Sequence, residues 1–292
     1  MNSGVCSYCF NKPFLANEIS VLDAIRFVGT GTEAACYEPL SRYWDPERNE
    51  NEQASEAKDL MDEVGLTTSC YTLDSDFAVY DDAASAECIA LCVSRLETTK
   101  LLGADRIRLD PRTSLPKDAA DTDFDDVLEK MALSMQAIAD EAHKEGLVVG
   151  VENHGRHLGR VAQTAHLVNL VDRENFGVNL DPTNFRVVFG EDHIEATRQL
   201  AEHVVHFHIK DIQSSPTEMP ESDGWRQSLA GDCWIKNAVG GTGDADWPTL
   251  FGIVKDAGYD GTISLEVVDP KDIEGSIREG VSNINKVILA LE

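Results

Sequence analysis

No stretch of the 292-residue sequence is apolar for long enough to span a bilayer, which takes about 20 consecutive apolar residues. Basic residues are scarce: 25 Lys and Arg stand against 52 Asp and Glu, a formal net charge of −27. That sign argues against a nucleic-acid partner, whose phosphates call for a basic surface. The acids are spread through residues 45–56, 118–126, 192–202 and 218–223 and form no tail. A dispersed acidic surface of this kind suits solubility at high salt. Residues 1–6, MNSGVC, lack a basic region followed by an apolar one, so no secretion signal is expected and the expected location is the cytoplasm. A disulfide framework is missing too. The seven cysteines are odd in number, and Cys6-Ser7-Tyr8-Cys9 has no second pair with which to complete a zinc site. Cys36, Cys70, Cys88 and Cys92 lie in apolar elements, and buried free thiols are the expectation for them all.

What the sequence does contain is alternation. Strand patterns at 5–10, 33–38, 66–73, 105–110, 147–152, 177–180, 204–209 and 262–267 are each followed by a helical pattern. The helices read as 20–27, 54–64, 83–102, 124–145, 164–171, 194–202, 247–257 and 273–291. Strict alternation predicts parallel strands joined by helical crossovers. Eight such units, with no linker to divide them, close a single (β/α)8 TIM barrel over residues 1–292. One polar, Gly-rich segment, 213–244, shows no clear element and is too long for a structureless connection. It follows the seventh strand, at the catalytic end of a barrel, and reads as a lid whose Trp225, Arg226 and Trp234 cover a bound polyol.

Residues 203–211, HVVHFHIKD, carry the sharpest signal. Side chains alternate along a strand, so His206, His208 and Lys210 share one face of an otherwise apolar run. Polar groups in that setting need partners. Three more apolar strand patterns end on a carboxylate: Glu152, Asp181 and Glu266. With His208 they fall at the C-terminal ends of consecutive strands, five to eight, where barrel enzymes place their chemistry. One imidazole and three carboxylates form a hard, mostly oxygen site for one divalent metal ion. Mn²⁺ or Mg²⁺ suit it best, and Co²⁺, Fe²⁺ and Zn²⁺ are compatible.

Four motifs carry a resemblance. They are Val151-Glu152-Asn153-His154-Gly155, Asn179-Leu180-Asp181-Pro182-Thr183-Asn184, His206-Phe207-His208-Ile209-Lys210-Asp211, and Gly240-Gly241-Thr242-Gly243-Asp244 with Gly258-Tyr259-Asp260-Gly261 leading to Leu265-Glu266. Over essentially its whole length the chain resembles the xylose-isomerase-like TIM-barrel superfamily. That group of sugar phosphate isomerases and epimerases includes ketohexose 3-epimerases, inosose dehydratases and endonuclease IV. The resemblance implies a metal held by Glu152, Asp181, His208 and Glu266, with Glu152 and Glu266 also exchanging protons with the substrate. It implies a metal-dependent isomerase or epimerase of a sugar, polyol or keto acid, acting by proton transfer through a metal-bound enediolate.

The departures redirect the substrate contacts. Asn184 stands where the family's epimerases have His, and Leu158 where they have a further Glu. In their place the chain offers His154, Asn184, Lys210 and Trp225 as substrate-binding candidates. Lys210 is also a catalytic candidate: its ammonium can stabilise an enediolate, hold a carboxylate or phosphate, or protonate a leaving hydroxyl. The last role makes the alternative a dehydratase of an inosose or a dehydroshikimate-like substrate. His206 reads as a supporting or core histidine. Arg156, His157 and Arg160 read as solvated loop charges. The endonuclease IV reading needs three metals and extra histidines, and Asn184 stands where one of those would be. The expected partner is a small polyol or keto-sugar, with neither nucleic acid nor membrane; association of identical chains is left open.

Overall fold

All eight strand positions form strands in a computed structural model of the protein, and they run parallel around one barrel. The structure describes residues 1–77, 79–112, 124–266 and 271–292. Val267 and Val268, with which the eighth strand pattern continues, lie outside the described residues, as does most of the acidic run 118–126. Strand Asn2–Cys6 pairs with Cys36–Glu38 on one side and with Thr262–Leu265 on the other, so the first and last strands meet. From there the wall passes through Val204–Ile209, Phe176–Leu180, Val148–Glu152, Arg106–Leu109 and Tyr71–Leu73. The third strand is broken. Thr67–Thr68 pairs with the second strand, Tyr71–Leu73 pairs with the fourth, and a bridge from Leu40 to Thr72 completes the ring.

Helices pack their apolar stripes on the outside of this wall. Phe124–Lys144 buries Val127, Leu128, Met131, Met135, Ile138 and Ala142, the three-and-four spacing of one helical face. Each large apolar side chain so buried contributes about 1.5–3 kcal/mol. No helix among the described residues is long and apolar enough to cross a membrane. All seven cysteines are free, and only Cys88 is more than slightly exposed.

Three expectations need correction. The first strand stops at Cys6; Ser7–Phe10 is a 3-10 turn, pinned where the Cys9 thiol donates to the Leu265 carbonyl. Between the sixth strand and helix His193–Leu200 lies an additional helix, Pro182–Phe189. Asp181 caps its N-terminus by accepting from the Thr183 N–H, and Pro182 opens its first turn, where a missing N–H costs nothing. Segment 213–244 is also not structureless. Strands Asp211–Ser215, Arg226–Gln227 and Trp234–Ala238 form a small antiparallel sheet, stitched by a satellite cluster of Ile212, Cys233 and Ile235. The excursion is tied at its base. The Asp211 carboxylate accepts from the backbone N–H groups of Ile212, Gly241, Gly243 and Ala245.

A bulge in the seventh strand sets the aim of its histidines. Val178 pairs with Val204 but Asn179 pairs with His206, leaving Val205 as the extra residue. The sixth strand makes room for it. A side-chain carbon at Gly177 would lie 2.5 Å from a Val205 methyl and against the His203 carbonyl, so only glycine permits this approach.

Candidate metal centre and substrate cavity

The bulge turns His206 and His208 into the barrel, where both rings meet a carboxylate from the opposite side. Glu38, at the end of the second strand and with no exposed surface, accepts from His206 Nε2 at 2.9 Å and His208 Nε2 at 2.8 Å. The Thr72 and Ser264 hydroxyls, each at 2.7 Å, complete its coordination. With Nε2 bound to Glu38, the other ring nitrogen of His208 points at the strand ends. It is buried and makes no hydrogen bond among the described residues. Oxygens of Glu266 and Glu152 stand 3.4 and 3.8 Å from it. Glu152, His208 and Glu266 each offer a ligand atom within 4.8 Å of the others. Asp181 joins them through Lys210, whose Nζ lies 2.7 Å from Asp181 Oδ2 and 2.9 Å from Glu266 Oε2.

Charge and donor type both fit a divalent cation. Four buried carboxylates, Glu38, Glu152, Asp181 and Glu266, face two permanent cations, Lys210 and Arg108, leaving two negative charges in excess. The unpaired Nδ1 of a ring fixed by a carboxylate is the arrangement that metal-binding histidines show. In the metal-free centre the histidine itself takes up part of the excess. Burial works against a charged His208, but Glu38 and Glu266 outweigh it and push its pKa up to about 9. Burial likewise opposes charge on Glu266, yet Lys210 and His208 hold its carboxyl well below the usual range. For Asp181 burial prevails over the attraction of Lys210, and its carboxyl is shifted upward. His206 goes the other way: burial depresses it despite Glu38, which suits a neutral supporting ring.

Around this centre a cavity of about 340 Å³ opens at the C-terminal ends of the strands. His208, Lys210 and Glu266 form its floor with Arg108, while His154 and Asn184 line its wall. Asn184 donates to Glu152 Oε1 at 3.1 Å, and the Arg108 guanidinium grips the other Glu152 oxygen. His154 stands 3.6 Å from Asp110. Trp225 is half-buried outside this lining, and its neighbour Arg226 lines the cavity instead, with Asn237. Arg160 pairs with Glu191 and stacks on Phe189, away from the cavity lining. Cys6 lines the cavity, but burial pushes its thiol pKa well up, so it stays a neutral thiol.

Glu38, Arg108 and Asp110 also belong to this centre and its cavity, beyond the candidates that the sequence motifs indicate. Each has a local signal. Glu38-Pro39 and Asp110-Pro111 end apolar strands on a carboxylate just as Asp181-Pro182 does, and Arg106-Ile107-Arg108-Leu109 alternates so that Arg108 shares the face of Asp110.

Comparisons with known proteins bear on the family and the fold. The family model "Xylose isomerase-like TIM barrel" matches residues 29–287. An inosose dehydratase from Lacticaseibacillus casei is 26% identical over 146 residues, 49% of this chain and 47% of that protein. The chain thus spans about half the length of that curated relative. Two solved structures superpose on the whole chain at 16% identity and a TM-score of 0.76. One is an IOLI protein with a binding zinc atom, 98% of it covered; the other is D-psicose 3-epimerase with D-tagatose from Clostridium cellulolyticum H10, 100% of it covered.

Proposed function

The chain belongs to the xylose isomerase-like TIM-barrel family, and from that premise we propose that it is a divalent-metal-dependent isomerase or epimerase of a small polyol or keto-sugar. One observation carries the reading: Glu152 and Glu266 converge on the unpaired nitrogen of His208, and His208 and Glu266 line the floor of a cavity of monosaccharide scale, with Glu152 buried just behind them. Glu152, Asp181, His208 and Glu266 would hold the ion, and their oxygen-rich donor set favours Mn²⁺ or Mg²⁺. Such an ion polarises a carbonyl and its neighbouring hydroxyl and acidifies the C–H between them.

The side chains do the rest. Glu152 and Glu266 come from strands five and eight, on either side of the strands that bear Asp181 and His208. One carboxylate removes the proton. The other returns it on the opposite face to give an epimer, or the first returns it to the neighbouring carbon to give an isomer. Lys210 and His208 keep Glu266 ionised, the form a base must have, while lowering its basicity. Lys210 remains charged, because Asp181 and Glu266 outweigh the cost of burial, and can stabilise negative charge on a substrate oxygen. His154 and Asn184 meet the substrate from the wall. The excursion 213–244, which supplies Arg226 and Asn237, closes over it as a lid.

A dehydratase is the second reading. Lys210 is a charged acid reaching into the cavity, suited to protonate a departing hydroxyl, and the sequence relative cited above is an inosose dehydratase. One experiment separates the two. Metal-loaded protein is incubated with a panel of ketoses, inososes and keto acids in D₂O and followed by mass spectrometry. Deuterium uptake without loss of water supports the isomerase or epimerase, and loss of water supports the dehydratase. Neither event across the panel overturns both.

A further inference from the structure

The cavity mouth holds a guanidinium without a counter-charge, in a chain that is short of cations. Arg42 and Arg112 are already matched. Each lies 2.5 Å from Asp74, and they stand 3.5 and 3.6 Å from Asp110. Two arginines therefore face two carboxylates. Arg226 is different. It sits on the short strand Arg226–Gln227 of the excursion and lines the cavity with Asn237, to whose side-chain oxygen it donates at 3.1 Å. Among the described residues no carboxylate stands within 4.0 Å of it. Below it, the metal centre becomes neutral once a divalent ion offsets its two excess negative charges. Among the described residues that line the cavity, one positive charge, that of Arg226, is left uncompensated.

We propose that Arg226 receives a carboxylate of the substrate, so that the molecule this site takes is an anionic keto-polyol, a sugar acid rather than a neutral sugar. This deepens the isomerase or epimerase reading and rests on it. The planar fork of an arginine matches the two oxygens of a carboxylate. A single free cation balances a single carboxylate charge; a phosphate monoester brings about −1.5 to −2 and would require a second one. The chain's net charge of −27 repels anions in general. Arg226 is exposed to solvent and lines the cavity, so it gives an anionic substrate a positive group to meet at the entrance.

Calorimetric titration of the Mn²⁺-loaded protein with D-fructose, D-fructuronate and D-fructose 6-phosphate tests this, since the three probes differ only at C6. Fructuronate should bind at least about 10-fold more tightly than fructose, equivalent to about 1.4 kcal/mol, and more tightly than the phosphate. Added salt should reduce the difference. Arg226→Gln should bring fructuronate down to the level of fructose, and Arg226→Lys, which keeps the charge and loses the fork, should retain part of the preference. Circular dichroism checks that both variants are folded. Equal affinity for the three probes, binding of none, preference for the phosphate, or a preference untouched by Arg226→Gln each overturns the proposal. Deuterium exchange measured on the same samples keeps the two readings apart. A carboxylate preference that disappears in Arg226→Gln, without any exchange, upholds the carboxylate site and sinks the isomerase or epimerase chemistry.

Discussion

Replacing Glu38 by Gln keeps the volume of a fully buried side chain and removes its charge. Four groups surround the carboxylate, two imidazole Nε2 atoms and two hydroxyls, all at 2.7–2.9 Å. A carboxylate only accepts, so both histidines can carry their proton on Nε2. A glutamine presents one oxygen and one NH₂, and the NH₂ cannot accept. If it faces His208, that ring must move its proton to Nδ1 and lose the lone pair a metal would use. Loss of such an outer partner typically costs 10–100-fold in metal affinity, about 1.4–2.7 kcal/mol. Mn²⁺ titrated into metal-free wild type and Glu38→Gln at neutral pH should show that drop. The pH dependence is a second readout. The pKa of His208 is raised from 6.5 to about 9 in the folded, metal-free protein. Protonation of the ring therefore stabilises the fold fully below pH 6.5, and the contribution is lost as pH rises from 6.5 through about 9. At 1.36 kcal/mol per pKa unit the contribution is on the order of 3 kcal/mol. Urea denaturation of metal-free wild type should weaken across that window, and Glu38→Gln should show a smaller fall. A folded variant with Mn²⁺ affinity within about twofold of wild type, well short of that outer-partner loss, would refute the role assigned to Glu38.

Glu152→Gln and Glu266→Gln should each abolish turnover while leaving part of the metal binding, because an amide oxygen can ligate but not take a proton; near-normal turnover in either would exclude the two-carboxylate mechanism. Lys210→Met should lower turnover by at least about 10²-fold. Its metal content, read by atomic emission, should be undiminished, since the ammonium no longer competes for Asp181 and Glu266. Full activity in that variant would leave the lysine a purely structural ion pair. Gly177→Val should cost about 3 kcal/mol by forcing the sixth and seventh strands apart. An unchanged urea midpoint would contradict the close approach at Val205.

Much of the scaffold is legible because its signals are local. The seventh strand, 204–209, and the last helix, 273–291, form at the residues their periodicity indicates. The four strand-end residues Glu152, Asp181, His208 and Glu266 all reach one end of the barrel, three of them in one cluster and Asp181 through Lys210. What escaped depends on contacts between distant parts of the chain. Glu38 meets His208 across 170 positions, and no window of sequence contains both. The bulge at Val205 is visible only once Gly177 is placed beside it. Helix Pro182–Phe189 is a different case, since its Asp cap and N-terminal proline are plain local signals of a helix start. The strands of the excursion run two to five residues and pair with one another, too short for alternation to show.

The knot that Asp211 ties has a consequence for how such a barrel can diversify. Chain leaves the wall at Ile212 and is held again at Gly241, Gly243 and Ala245 by the same carboxylate, and a side chain at Gly243 would strike that carboxylate. The segment between is a pendant whose ends are fixed together whatever its content. Doubling the length of such a closed segment adds only about 0.6 kcal/mol of closure entropy. Insertions, deletions and wholesale replacement can therefore accumulate there without disturbing the strands that carry Glu152, His208 and Glu266. A barrel hinged in this way can inherit its reaction centre unchanged while its choice of substrate is rewritten in the pendant.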